Sequence, residues 1–511
     1  MILIVGAGPT GLVLAYWLTR LGVPVRLIDK AREPGTTSRA LAVQARTLEL
    51  YQQVGLAAGV VEHGLRFAAA NIWISGKLAG RAEFGAIGRG LTPFPHVLIF
   101  PQDQHERFLI AKLGELGVTV DREVELTGFE ERDDGIVARL RSADGGTESV
   151  AADYIAGCDG ARSEVRNVLG TVFPGGTYDR IFYVADVQLD GPVTNHELHV
   201  ALDDADFMAA FPLKGDGVAR LIGTVQESAL ARATALSWDD VSRRVLDRMQ
   251  LTVHKVNWFS TYHVHHRVAA HFRRGRAFLV GDAAHIHSPV GGQGMNTGIG
   301  DAINLAWKLA AVVQRRATAA LLDSYEPERV AFAHRLVGTT DRAFTFATAD
   351  GPIARVVRRG IMPRLLPWLL GREAMRRFMF RTISQTRVHY RQGPLSEGDA
   401  GSLRGGDRLP WVMPDPGTAD DNFSPLTALD WQVHVYGAPA GDITTACAER
   451  GLALHAFDWR EPMRAVGLRR NVSYLVRPDG YIGLAGADAA TLGRYVDSRG
   501  IVARQAPPTS S

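Results

Sequence analysis

The first thirty residues pass through two hydrophobic rhythms. Ile2-Leu3-Ile4-Val5 is an unbroken apolar run, the pattern of a strand covered on both faces of a parallel sheet. Gly6-Ala7-Gly8-Pro9-Thr10-Gly11 predicts a turn, Leu12 to Leu21 a helix closing on Gly22, and Val25 to Ile28 a second strand ending at Asp29. A second strand–helix–strand unit runs from Val97–Phe100 through Glu106–Leu116 to Val118–Val120. Alternation over Val124–Glu130 and Ile136–Arg141 predicts a hairpin closed by Asp133-Asp134-Gly135.

Between about 175 and 270 the period shortens. Phe182–Leu189, His196–Leu202, Phe207–Pro212 and Ala219–Val225 read as successive strands, with a helix near Trp238–Met249. This is an antiparallel sheet inserted into an α/β chain. Ala277–Val280 restores a buried strand, followed by helices over Met295 to about Gln314 and about Asp323 to Phe346. Beyond the Gly393–Gly406 loop come Val433–Tyr436, helix Asp442–Arg450, Leu452–Phe457, hairpin strands Ser473–Val476 and Tyr481–Leu484, and helix Ala487–Arg499. That βαβ then ββα order is thioredoxin-like, and Arg477-Pro478-Asp479-Gly480 suits the hairpin turn.

Composition narrows the function classes. The 511 residues carry 57 Lys or Arg against 54 Asp or Glu, a formal charge of +3, too balanced for phosphate binding to be the main task. Ten arginines against Glu373 alone between 351 and 392 form a local exception, read as an arginine-faced helical connector. The two cysteines, Cys158 and Cys447, exclude a disulfide framework and dithiol chemistry and fit a reducing compartment. No apolar run reaches the roughly 18–20 residues of a membrane span. The first strand follows Met1 with no charged leader. The expectation is a cytoplasmic protein with neither nucleic-acid nor membrane partners.

Three motifs carry chemistry. Gly6-x-Gly8-x-x-Gly11 lies between strand and helix, with Asp29 ending the next strand. Gly6 allows the tight turn, Gly8 lets a pyrophosphate approach, Gly11 lets the helix pack closely, and Asp29 accepts from ribose hydroxyls. Cys158-Asp159-Gly160, with Arg166 downstream, follows the strand Tyr154–Ala156. Gly281-Asp282 follows Ala277–Val280 and leads into Pro289-Val290-Gly291-Gly292-Gln293-Gly294-Met295-Asn296. A carboxylate at a strand end takes sugar or ribityl hydroxyls, and a glycine turn opening a helix offers N–H donors to an anion.

With these motifs the chain resembles the single-component flavin-dependent aromatic hydroxylases, the group of p-hydroxybenzoate, phenol and polyketide hydroxylases. Ala45-Arg46-Thr47-Leu48-Glu49 and Pro101-Gln102 belong to the same resemblance. It implies a Rossmann-type, glutathione-reductase-like FAD-binding domain (1–174 and 271–350), an inserted antiparallel-sheet substrate domain (175–270), a helical connector (351–399) and a thioredoxin-like tail (400–511). It also implies FAD contacts from Arg46 and Gln102, an Asp159 that serves FAD and NAD(P)H, and a ribityl contact from Asp282. Pro289, Gly292, Gly294, Met295 and Asn296 would lie against the flavin ring. The implied reaction reduces FAD with transient NADPH or NADH, forms a flavin C4a-hydroperoxide with O2, and oxygenates a phenolic or polycyclic aromatic metabolite. Homodimers are frequent in the family.

The base that would deprotonate a phenol is less legible. Tyr262-His263-Val264-His265-His266-Arg267 places His263 and His265 on one strand face and His266 on the other. His263 is carried as the catalytic candidate beside Arg46 and Pro289. No acid or cysteine completes a metal set, so no metal is expected. Tyr183 and Phe211 are pocket candidates from strand position, and packing is the default for His285 and His287. Baeyer–Villiger insertion and epoxidation would leave the same motifs. So would a flavoprotein that keeps FAD as a scaffold for a non-redox cyclisation.

Overall fold

In the computed structural model all residues are described except 36–39, 68, 84–86, 204–205, 226–235, 289–291, 349–355, 362–364, 366–367, 369–370, 416–420 and 505–511. The opening strand Ile2–Val5 is central in a six-stranded sheet. It pairs in parallel with Val25–Asp29 on one side and Tyr154–Gly157 on the other, and Ala277–Leu279 continues the parallel order. All four residues of Ile2–Val5 are buried, as an unalternating apolar run requires. Helices Pro9–Arg20 and Gly294–Val313 pack together in the same core, although they are separated by more than half the chain. The predicted hairpin is present and gains a third strand: Val124–Arg132, Gly135–Ser142 and Thr147–Ala152 form an antiparallel meander.

The inserted sheet is larger than its sequence signal. Eight strands lie in the order His285–Ile286, Thr252–Val268, Gly175–Asp190, Val218–Thr224, Asp206–Pro212, Leu198–Asp203, Ala69–Ile74 and Lys77–Glu83. The last two come from a hairpin outside the 175–270 insertion, joined to it by the parallel pairing of Leu198–Ala201 with Ala70–Trp73. Nothing in local periodicity announces a pairing across so much chain. The expected helix near 238–249 shrinks to a turn at Trp238–Asp240 and a short helix Arg243–Arg248.

Strand alternation gives this sheet two apolar faces. Tyr183, Ala185, Val187, Met208 and Ala210 point to a core shared with Val245 and Leu246 of the short helix. Phe182, Val184, Phe207, Phe211 and Ile222 point the other way, to a core shared with Phe67 and Val97. Tyr183 therefore leaves the pocket candidates, because its ring is buried against Trp238 and Phe259 on the far face.

In the connector, helix Glu373–Ile383 seats Phe380 in the second of these cores, while Arg372 and Arg387 cover the rings of Trp368 and Phe378. The C-terminal unit has a four-stranded sheet ordered Ala453–Phe457, Gln432–Tyr436, Ser473–Val476, Ile482–Ala487. Its first pairing is parallel and the other two antiparallel. Its hairpin turn forms as expected, with Gly480 at φ +72°, but it is buried in the FAD-motif unit rather than exposed. No described helix is long and apolar enough to cross a membrane.

Candidate active site

The glycine turn is built as its spacing requires. A Cβ on Gly6, at φ +102°, would stand 2.4 Å from the Cys158 carbonyl oxygen, and one on Gly11 would stand 1.9 Å from the Gly6 carbonyl oxygen. Gly8 differs: a Cβ there would meet nothing within 4 Å, and Gly8 lines a large cavity. The first two glycines let chain pass chain, and the third leaves room for a ligand at the start of helix Pro9–Arg20. Asp29 is held by the N–H groups of Ala7 (2.7 Å) and Ala31 (2.8 Å), outside the lining of that cavity.

The two aspartate turns flank the same space. Asp159 accepts from the Glu164 and Val165 N–H groups through Oδ2 (2.7 and 3.2 Å), while its buried Oδ1 has no hydrogen-bond partner among the described residues. Burial pushes its carboxyl above the usual range against those donors. The neighbours Cys158 and Gly160 line the cavity, and burial also pushes the Cys158 thiol well up, so it is no thiolate nucleophile. Arg166 ties the two turns together by donating to the Ala283 carbonyl at 2.9 Å.

Gly281 turns at φ +64°, and Asp282 faces the cavity. Behind them lies Asp301, which sequence reasoning missed. It accepts from the Gly281 N–H (3.0 Å) and His285 Nε2 (2.7 Å) and pairs with Arg329. Burial alone would raise its carboxyl, but Arg329 and His285 hold it below the usual range. The spacing of Thr297, Asp301, Asn304 and Lys308, four, three and four residues apart along an apolar helix, was the available signal for a buried polar stripe.

The cavity has a volume of about 730 Å³. Gly8, Gln102, Asp282, Gly292, Gly294 and Met295 line one end, and Leu198, Val200, Phe207, Ala209, Phe211 and Ile222 of the inserted sheet line the other. Ile383 of the connector helix closes part of the wall. Asn296 does not face the cavity but clamps its loop. It accepts from Gln44 N–H (2.9 Å) and donates to the carbonyls of Ala42 (2.8 Å) and Gly292 (3.1 Å). Pro289 lies outside the described residues.

Arg46 and His263, like Asp29 and Asn296, do not line the cavity. Arg46 is buried with its guanidinium turned to Glu49 (3.1 Å), the Asp479 carbonyl (2.6 Å) and the Tyr481 ring, so it meets the C-terminal unit. His263 is exposed and absent from the lining. On Thr252–Val268 the inward phase belongs to Tyr262 and Val264, and alternation sends His263 and His265 the other way. His287, expected to pack, lines the cavity instead.

An open cradle at Gly8, glycine turns lining one large cavity, and an unpartnered Asp159 oxygen between the lining residues Cys158 and Gly160 fit a dinucleotide with a planar ring. The FAD binding domain family is matched over residues 1–340. A flavin-dependent monooxygenase of Mycobacteroides abscessus is 32% identical over 510 residues, covering 97% of this chain and 99% of the relative. The chain belongs to the single-component FAD-dependent monooxygenases.

The likeness to solved structures extends over nearly the whole chain. The OxyS anhydrotetracycline hydroxylase from Streptomyces rimosus superposes with a TM-score of 0.78 at 29% identity, covering 98% of this chain and 99% of that one. The Diels-Alderase PyrE3 of pyrroindomycin biosynthesis superposes at 0.75 and 26% identity, again over 98% and 99%. In this monooxygenase, residues of the glycine turn, of both aspartate turns and of the inserted sheet face line one cavity.

Proposed function

We propose that the chain is an NADPH- or NADH-dependent monooxygenase that transfers one atom of O2 to a phenolic or polycyclic aromatic metabolite of polyketide type. What carries the reading is one continuous cavity in which the FAD-motif turns meet an apolar sheet face. When bound, FAD supplies the electron transfer and oxygen activation. Gly8 and the first N–H groups of its helix receive the pyrophosphate, and Asp29 and Asp282 accept from ribose and ribityl hydroxyls. Gln102 would stand beside the pyrophosphate, and Asp159 would serve the dinucleotides from its turn. The Gly292–Gly294–Met295 turn offers N–H donors to the ring edge where negative charge collects.

The sheet face holds the aromatic substrate and keeps water from the oxygen-transfer step. His287 takes the proton role first given to His263. Its Nδ1 lies 2.8 Å from the Ser288 carbonyl, which can only accept, so Nδ1 carries the hydrogen and, in the neutral imidazole, Nε2 the lone pair. The C-terminal unit, thioredoxin-like in its strand order and without a cysteine pair, serves as a docked cover.

Anaerobic stopped-flow mixing of the FAD-loaded protein with NADPH and NADH tests the reading, with and without phenols, naphthoquinols and polyketide aglycones. Substrate-accelerated bleaching of the flavin supports it. Firmly bound FAD that no condition reduces overturns it in favour of a second reading, a flavin scaffold for a non-redox cyclisation, to which the likeness to a Diels-Alderase points.

A further inference from the structure

The substrate end of the cavity has a shape that distinguishes among aromatic molecules, and this inference rests on the reading just given. Phe207, Ala209 and Phe211 stand at alternate positions of one strand, so all three face the cavity. At about 3.4 Å of rise per residue the two phenyl rings are rooted about 14 Å apart along the strand, with the small Ala209 between them. Across the sheet Ala209 pairs with Val200 on one side and Ile222 on the other, and both line the cavity too. The result is a trough floored by a methyl group, walled by two aliphatic side chains and closed at each end by an aromatic ring. A single phenol ring leaves most of that length unfilled, whereas a flat molecule of several fused rings covers it.

The trough is also electrically blank. Among the described residues lining the cavity, the ionisable ones, Asp282, His287 and Cys158, belong to the segments that carry the flavin motifs and none to the sheet face. Arg220, the cross-strand partner of Phe211, is already held by Asp186, so a ligand carboxylate in the trough would lose its water without gaining a free cation. We propose that Ala209 is the specificity-determining residue of this site, and that the trough it floors selects uncharged, planar, fused-ring phenols over monocyclic phenols and over aromatic carboxylates.

The test is isothermal titration of the FAD-loaded, full-length protein with 1,8-dihydroxyanthraquinone, phenol and 4-hydroxybenzoate. The anthraquinone is expected to bind about tenfold tighter than phenol or better, with no saturable binding of 4-hydroxybenzoate. Ala209→Phe, which fills the floor, is expected to weaken the anthraquinone by about tenfold or more and to leave the weak phenol affinity within a few-fold. Flavin absorbance of each variant confirms that FAD is held. An FAD-replete Ala209→Phe with undiminished anthraquinone affinity overturns the assignment, and so does 4-hydroxybenzoate binding as tightly as the anthraquinone.

Should Ala209→Phe lose FAD, Ala209→Val carries the same contrast with two added methyl groups on a strand-favouring side chain. A several-fold loss then supports the trough, and no loss overturns it. Binding that follows this pattern in a protein whose FAD is never reduced by NADPH or NADH leaves the trough standing and removes the monooxygenase reading. Reduction without the binding pattern does the reverse.

Discussion

The guanidinium of Arg477 meets the carboxylate of Glu328 in two hydrogen bonds, of 2.6 and 3.1 Å, with both side chains wholly buried. Arg477 belongs to the hairpin turn of the C-terminal unit and Glu328 to helix Tyr325–Thr348 of the flavin unit. Around them Lys308 and Asn304 donate to Glu328 (2.8 and 2.7 Å), and Trp307 donates to Asp479 (3.1 Å). The last domain is therefore plugged into the core of the first by an ionic socket.

Replacing one member of a buried pair leaves the other charge uncompensated. Arg477→Met is expected to cost about 3–5 kcal/mol, read as a lowered urea midpoint, and the double change with Glu328→Gln is expected to recover part of it. A single variant as stable as the parent would refute the socket.

The same pair predicts an acid limit. Burial alone would raise the Glu328 carboxyl, but Arg477 and Lys308 bring it down from 4.5 to about 2. A carboxylate with a depressed folded pKa contributes stability that is complete above its unfolded value and lost as pH falls through the folded one. The urea midpoint should therefore drop steeply as pH falls from 4.5 towards 2, with Asp301, also depressed, adding in the same direction. Glu328→Gln, less stable at neutral pH, should show a shallower fall.

Asp282 is the charged side chain facing the cavity at its flavin end. Asp282→Ala removes a charge-assisted acceptor worth about 1.5–3 kcal/mol and should weaken FAD binding by about tenfold to a hundredfold. Titration of the apoprotein with FAD measures this, and a variant that purifies as yellow as the parent counts against the assigned contact.

For His287 the expectation concerns chemistry rather than affinity. His287→Gln should slow formation of hydroxylated phenol by about a hundredfold or more while NAD(P)H oxidation continues and hydrogen peroxide accumulates. Product chromatography beside a peroxide assay reads both. Unchanged product yield would return the proton role to another group.

Arg46 bridges Glu49 and the Asp479 carbonyl, and lysine cannot reach both. Arg46→Lys should lower the urea midpoint with flavin reduction intact. Slowed reduction at full stability would instead restore the cofactor contact that the family resemblance implies.

Much of the flavin end was legible along the chain, since each turn there is a local problem. Gly6, Gly8 and Gly11 lie within six residues that run from a strand end into the first turn of a helix, and Gly281-Asp282 closely follows a single buried strand, so spacing alone carries their geometry. The parallel order of the first sheet also follows from unbroken apolar runs, but which face of the inserted sheet lines the pocket does not, since Tyr183 and Phe211 fall on opposite faces. Other features depend on partners far away in sequence. Ala69–Glu83 joins the insertion through a pairing across more than a hundred residues, His263 turns outward because Tyr262 and Val264 take the core, and Arg46 faces Asp479 rather than the cavity. The sequence by itself determined the dinucleotide turns, because short-range sterics of glycine and strand ends decide them. Tertiary structure alone decided which side chains share the 730 Å³ cavity and which ones fill the ionic socket, because burial and charge compensation are settled only when distant segments meet.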